Sequence, residues 1–176
     1  IGYAIRTLHP TRVIICFDGK GGSQRRRKLF PDYKANRLVR TKLNRTNAFG
    51  DKDAESQNMK MQLGRLVQYL DHLPVQILAP ENIEADDAMA YICKQLLTES
   101  KVFIMSSDKD FIQLVDDRIA VWSPTKKRLY FKDDVFEDYK LPAHNYLLYR
   151  TLTGDKSDNI PGIRGTGIAT LQKRLP

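Results

Sequence analysis

Two short apolar runs, V-I-I-C-F at Val13–Phe17 and K-V-F-I-M at Lys101–Met105, are each followed within three residues by an aspartate. Runs of this length, rich in β-branched and aromatic residues, read as buried strands. The first is predicted over Arg12–Phe17 and the second over Lys101–Met105, so Asp18 and Asp108 fall at the carboxyl ends of strands. Between them Ser56–Leu73 carries Met59, Leu63, Leu66, Val67 and Leu70 at amphipathic helical spacing. A short strand at Val75–Leu78 follows, then a helix over Pro80–Thr98 with its acids in the first turn, where the helix dipole favours them. A short helix at Phe111–Val115, strands at Ala120–Trp122 and Leu129–Phe131, and a helix at Asn145–Leu152 complete the series. Alternation of strand and helix argues for a mostly parallel α/β sheet flanked by helices. In such sheets ligands bind beyond the carboxyl ends of the strands.

The acids cluster in four places: Asp18 in C-F-D-G-K, Glu84, Asp86 and Asp87 in I-E-A-D-D, Asp108 and Asp110 in S-S-D-K-D, and Asp155 and Asp158 in G-D-K-S-D-N. Taken singly, each has an ordinary explanation as a turn residue, a helix cap, a dipole partner or a solvated loop acid. Taken together they do not. Two like charges about 4 Å apart repel by about 4 kcal/mol at an effective dielectric near 20, so converging carboxylates need cations or protons. Mg²⁺ and Mn²⁺ suit hard oxygen ligands drawn from scattered positions. Two such ions about 3.5–4 Å apart can activate water and stabilise the leaving oxygen of a phosphodiester. No His or Cys grouping competes, since His9, His72 and His144 are far apart in sequence.

Basic charge is localised between the first two clusters. Gln24–Thr46 holds nine Lys/Arg against one acid, Asp32, which alone equals the net charge of +8. Arg25, Arg26, Arg27, Lys28, Lys34, Arg37, Arg40, Lys42 and Arg45 suit phosphate neutralisation, and Phe30 and Tyr33 suit stacking on bases. A solvated charged loop is the alternative reading of this segment, and the acidic clusters on either side weigh against it. Acids that gather cations beside a segment that grips a polyanion point to metal-dependent chemistry on nucleic-acid phosphates.

At 176 residues with 41% apolar composition, the chain can build one cored domain. Cys16 and Cys93 lie in apolar runs and read as buried hydrophobes, so no disulfide or zinc framework is implied, in agreement with a cytoplasmic protein. No apolar stretch reaches membrane-spanning length. The start at Ile1 and the stop at Pro176 read as a piece of a longer protein. Near its end, Gly162-Ile163-Arg164-Gly165-Thr166-Gly167 precedes an apolar helix predicted over Ile168–Leu175, an arrangement that brings backbone N–H groups close to phosphate.

On five motifs in order, the chain resembles the 5′ nuclease family, which includes the 5′→3′ exonuclease domains of bacterial DNA polymerase I, bacteriophage 5′ exonucleases and ribonucleases H, and flap endonucleases. The motifs are F-D-G-K at Phe17–Lys20, P-D-Y-K-A-N-R at Pro31–Arg37, I-E-A-D-D at Ile83–Asp87, S-S-D-K-D-F-I-Q-L at Ser106–Leu114, and L-T-G-D-K-S-D-N-I-P-G-I-R-G-T-G at Leu152–Gly167. The resemblance implies a PIN-like catalytic domain over residues 1–153 that lacks the family's first strand and its aspartate. It implies a basic arch over residues 20–54 and, over residues 154–176, the start of a helix–turn–helix element that grips duplex backbone, with a K⁺ ion at the glycine turn.

It further implies two-metal hydrolysis. Asp18, Glu84, Asp86 and Asp87 belong mainly to the first metal site, Asp108 lies near both ions, and Asp110, Asp155 and Asp158 serve mainly the second. Arg26, Lys34 and Arg37 match the family's basic positions, with Lys34 nearest the scissile phosphate, Arg37 beside it in catalysis, and Tyr33 adjoining. Arg26, Tyr33, Lys34, Arg37, Arg40, Gly162, Gly165 and Gly167 make up the implied DNA-binding set. The expected activity is structure-selective cleavage near 5′ ends or flaps of DNA, or of RNA–DNA hybrids, in replication or repair, by a monomer. Two further readings are a non-catalytic nucleic-acid-binding fragment and a PIN-type ribonuclease; the long arch and glycine turn do not suit the latter.

Overall fold

The computed structural model describes residues 1–37 and 51–174. In chain order the elements are α1 (Gly2–Leu8), β1 (Ile14–Cys16), α2 (Gln24–Leu29), α3 (Lys52–Asp71), β2 (Gln76–Leu78), α4 (Ala85–Tyr91), β3 (Val102–Met105), β4 (Ile119–Ser123), β5 (Arg128–Tyr130), α5 (Lys132–Tyr139), α6 (Tyr146–Thr153) and α7 (Ile168–Gln172). A π-helical turn, Ile92–Leu96, extends α4, and 3₁₀ turns occupy Lys109–Leu114 and Ala143–Asn145. Two compact units are formed, one from Ile1–Gly22 and Arg37–Ala85, the other from Ser23–Asn36 and Asp86–Pro176. Among the described residues no helix is long and apolar enough to cross a membrane.

In the first unit β1 and β2 pair in parallel, with Ile15 opposite Ile77. Phe17 N–H continues the ladder to Leu78 C=O at 2.8 Å. The chain then presses F-D-G-K against residues 80–84. Gly19 N–H donates to Ile83 C=O, and Asn82 N–H donates to Lys20 C=O. A Cβ on Gly19 would stand 1.6 Å from Pro80 O, so only glycine fits there. This contact also explains a difference from the sequence reading. The helix predicted from Pro80 begins at Ala85, because the residues before it are held against F-D-G-K with Asn82 at φ 59°. The long helix predicted over Ser56–Leu73 forms as α3 and starts earlier, at Lys52, where Asp51 accepts from Asp53 N–H. Of its apolar stripe only Leu70 is buried; Met59, Leu63, Leu66 and Val67 are exposed.

The second unit holds the larger core. β3 and β4 pair in parallel, and β4 and β5 form an antiparallel hairpin around the turn between Ser123 and Arg128. Among the described residues, two of the three strand pairings in the two sheets are parallel and one is antiparallel. Ile104, Phe111, Ile119, Val121, Tyr130 and Tyr146 meet in one buried cluster, together with Val135, which is completely buried. α5 was not foreseen, since K-D-D-V-F-E-D-Y is acid-rich and shows weak apolar spacing. It is fixed by Asp134, which accepts from Phe131 N–H at 3.0 Å, and by Arg128, which donates to Asp134, Glu137 and Asp138. Of the basic arch expected over residues 20–54, α2 and a run of turns at residues 31–36 are described; residues 38–50, and Arg40 with them, lie outside the described residues.

Candidate functional site

Asp18 follows β1 as expected, and its Oδ1 accepts from Ala85 N–H at 2.8 Å. The aspartate therefore caps α4 from across the F-D-G-K contact. At the start of that helix Glu84, just before it, and Asp86 and Asp87, in its first turn, offer carboxylate oxygens that all lie within 4.8 Å of one another. Glu84 is only 4% exposed. Three hard oxygen donors at that spacing, one from a buried residue, suit a divalent cation.

Past β3, Asp108 caps the 3₁₀ turn, accepting from Asp110 N–H at 2.9 Å, while Ser106 Oγ accepts from Asp108 N–H. Asp155 lies in the turn after α6. Its Oδ1 accepts from the N–H and hydroxyl of Ser157, each at 2.6 Å, and its Oδ2 meets the guanidinium of Arg150. Arg150 Nε also donates to Asp110 Oδ1 at 2.9 Å, so one guanidinium ties two of the four clusters together. Burial pushes the Asp110 carboxyl up, and the charges of Asp108 and Asp155 push the same way against Arg150. Burial also acts on Asp155, but its bonds from Ser157 and Arg150 prevail and hold it below the usual carboxylate range.

The basic segment reaches these acids at two points. Arg26, on α2, donates both terminal nitrogens to the two oxygens of Asp87, at 2.6 and 2.7 Å. The turn Asp32–Asn36 is clipped onto the G-D-K-S-D-N loop by three hydrogen bonds: Lys34 N–H to Asp158 C=O at 2.9 Å, Asn36 Nδ2 to Lys156 C=O at 2.7 Å, and Asn159 Nδ2 to Asp32 C=O at 2.9 Å. Lys34 and Asn159 both take the left-handed conformation, at φ 58° and 60°. Tyr33, expected as a base-stacking ring, is only 5% exposed. Lys34 Nζ and the Arg26 guanidinium lie 4.7 and 5.8 Å from its ring centroid. The ring thus supports the two cations through their attraction to its face. Arg37 is exposed at the end of the same turn.

The glycine turn is built by close approach. Gly154 has φ 68°, a Cβ there would stand 2.4 Å from Gly162 N, and a Cβ on Gly162 would stand 2.2 Å from Thr153 O. Gly165 has φ 83°, whereas Gly167 precedes α7 with open space around it. Thr166 Oγ1 ties the turn to Leu152 C=O at 3.0 Å.

Arg150, Asn36 and Asn159 are the residues that sequence reasoning missed. A basic residue near a helix C-terminus is common for dipole reasons alone, so Arg150 gave no distinguishing signal. Asn36 and Asn159 sit inside motifs whose charged members drew the reading, and no pattern in the sequence pairs them.

The comparisons with known proteins agree on one family. Residues 2–140 match the model of the 5′-3′ exonuclease, N-terminal resolvase-like domain. The chain is 34% identical over 164 residues to the thermostable DNA polymerase I of Thermus aquaticus, covering 93% of this chain and 18% of that one. It is 28% identical over 167 residues to the 5′-3′ exonuclease of Aquifex aeolicus, covering 94% and 52%. It therefore spans about half the length of the exonuclease and less than a fifth of the polymerase. In fold it is similar to the bacteriophage T5 D15 protein co-crystallised with metal ions, with a TM-score of 0.84 at 23% identity over 98% of this chain and 64% of that one. A complex of the T5 D15 flap endonuclease with DNA and metal ions gives a TM-score of 0.76 at 24% identity, covering 96% and 60%. With a family match across most of its length and a mixed α/β fold shared with a 5′ nuclease, the chain belongs to the 5′-3′ exonuclease N-terminal, resolvase-like domain family.

Proposed function

We propose that this chain carries the catalytic part of a divalent-cation-dependent 5′ nuclease, which hydrolyses phosphodiester bonds near 5′ ends or flaps of DNA, and of RNA–DNA hybrids, in replication or repair. The observation that carries this reading is the interleaving of acid and base within the site. The basic segment is anchored to the acidic clusters at Arg26–Asp87 and again at the Asp32–Asn36 clip. Side chains that suit phosphate and carboxylates that suit a cation thereby lie side by side, as hydrolysis of a nucleic-acid backbone requires. Glu84, Asp86 and Asp87 at their observed spacing favour a cation-dependent enzyme over a binding module without chemistry.

Asp18, Glu84, Asp86 and Asp87 would hold one cation and Asp108, Asp110, Asp155 and Asp158 a second, with Mg²⁺ the natural ion and Mn²⁺ its substitute. Bound there, the ions supply Lewis-acid chemistry, acidifying water and stabilising charge on a leaving oxygen. The protein's own part is positional. Lys34, held by the clip and backed by Tyr33, offsets charge on the scissile phosphate, where such stabilisation lowers the barrier. Arg37 assists it from the same turn. Arg26 and Arg40 grip the backbone, and Gly162, Gly165 and Gly167 let a duplex strand approach the start of a helix–turn–helix element over residues 154–176, with K⁺ at the turn. Residues 1–153 would form the catalytic part, in a cytoplasmic monomer.

The test is cleavage of an end-labelled DNA with a 5′ flap, in Mg²⁺ and in excess EDTA. Products released near the flap base in Mg²⁺ and absent in EDTA are expected. Equal cleavage under both conditions would defeat the reading.

A further inference from the structure

Arg150 takes from Asp110 and Asp155 the same lone pairs that a cation would take. Its Nε and terminal nitrogen approach Asp110 Oδ1 at 2.9 and 2.7 Å, and the same terminal nitrogen meets Asp155 Oδ2. The Arg150 and Asp155 side chains are 21% and 19% exposed, and that of Asp110 is 38% exposed. The three residues come from three places: the 3₁₀ turn after β3, the last turns of α6, and the loop beyond it. Without a positive charge between them the two carboxylates would repel, and Asp108, whose side chain caps the Asp110 N–H, adds a third negative charge. A guanidinium and a divalent ion cannot both occupy the space between two carboxylate oxygens.

We propose that Arg150 is an internal counter-ion which Asp110 and Asp155 exchange for a divalent cation. In the cation-free protein it holds this half of the site in shape, and it sets a threshold that the cation must overcome. The inference rests on the reading above that these carboxylates take divalent cations. It adds a consequence for phosphate. Once displaced, the guanidinium presents its planar donor set to a phosphate oxygen pair, which it recognises as well as a carboxylate. Cation binding and backbone binding then reinforce each other, and by linkage each raises the affinity of the other by the same factor.

Thermal unfolding of the parent and of Arg150→Gln, each without divalent ions and with saturating Mn²⁺, tests the exchange. Arg128→Gln is the control, because Arg128 also binds three carboxylates, Asp134, Glu137 and Asp138, and none of them is a candidate ligand. Arg150→Gln is expected to melt below the parent without cations and to gain more from Mn²⁺ than the parent does, while Arg128→Gln loses the same amount in both conditions. Titration followed by the paramagnetic resonance signal of unbound Mn²⁺ is expected to show binding to Arg150→Gln tighter by about threefold or more. A Mn²⁺ gain no larger than the parent's, or unchanged Mn²⁺ affinity, makes Arg150 an ordinary structural partner and overturns the inference while leaving the cation reading in place. If Mn²⁺ raises the melting temperature of neither protein, the cation reading fails and this inference with it. Should Arg150→Gln not fold in either condition, Arg150→Lys decides: with a single ammonium it competes less well, so its Mn²⁺ gain must exceed the parent's, and an equal gain overturns the exchange.

Discussion

Lys34 adopts φ 58°, a conformation that side chains with a Cβ enter at a cost of roughly 1 kcal/mol. Its own N–H, bonded to Asp158 C=O, and the two asparagine bonds beside it hold it there. This gives a pair of variants that share one loss of charge and differ only in backbone. Lys34→Gly is expected to be more stable than Lys34→Ala by about 1 kcal/mol in urea unfolding, because glycine enters the left-handed region freely. Both should lose turnover by a larger factor than affinity, since the proposed work of the ammonium is done in the transition state. Equal stability of the two would mean the turn is not strained, and a loss confined to affinity would remove Lys34 from the chemistry. Gly162 makes the opposite case: a methyl 2.2 Å from Thr153 O forces the glycine turn apart, and Gly162→Ala should lower stability by about 1–3 kcal/mol in the same measurement.

At the scale of elements, Arg26 joins α2 to the helix start at Asp87, with side chains 34% and 49% exposed. Pairs this accessible contribute little, so Arg26→Ala should change stability by less than about 1 kcal/mol. Its effect belongs in recognition: affinity for flap DNA should fall and its salt dependence flatten, as a titration at several salt concentrations would show. Unchanged affinity would make Arg26 a purely structural partner of Asp87. The strands that precede Asp18 and Asp108 were legible from their β-branched runs, and so was α3 from its apolar spacing. The acidic clusters were legible as types, and two of them as neighbours of strand ends. The start of α4 was not, because the F-D-G-K contact that delays it is made between residues some sixty positions apart, here Gly19 and Ile83. α5 escaped for a similar reason: its acids pair with Arg128 of the preceding strand, an arrangement that no local spacing reveals. Arg150 was hidden because its two partners come from different clusters, and only the folded chain brings them to one side chain.

At the scale of the whole molecule, acid sensitivity comes from depressed carboxylates both inside the candidate site, at Asp155, and outside it. Asp116 is partly buried, which works against ionisation, but the Lys94 ammonium and the N–H groups of Arg118 and Ile119 prevail and hold it below the usual range. Burial is likewise outweighed at Asp134 by Phe131 N–H and Arg128, and at Asp138 by the Tyr130 hydroxyl and Arg128. A carboxyl whose folded pKa is depressed stabilises fully above its unfolded pKa of about 4 and loses that contribution as pH falls through the folded value. Melting temperature in the absence of divalent ions is therefore expected to change little from these groups between neutrality and about pH 5 and to drop below about pH 4, with a shallower drop in Asp116→Asn. An acid limb identical in that variant would contradict the assignment.

The most direct measurement of the central claim, that acidic clusters do the cation-dependent chemistry while the basic segment and glycine turn hold the DNA, uses Asp108→Asn in two assays on one flap substrate. The substitution keeps the side chain's shape and removes a charge. Cleavage in Mg²⁺ should fall by orders of magnitude. Binding in Ca²⁺ should persist or tighten, because one negative charge facing phosphate is gone. Cleavage at the parent's rate would contradict the claim, and so would a joint loss of binding and folding, which would make Asp108 a structural cap and nothing more.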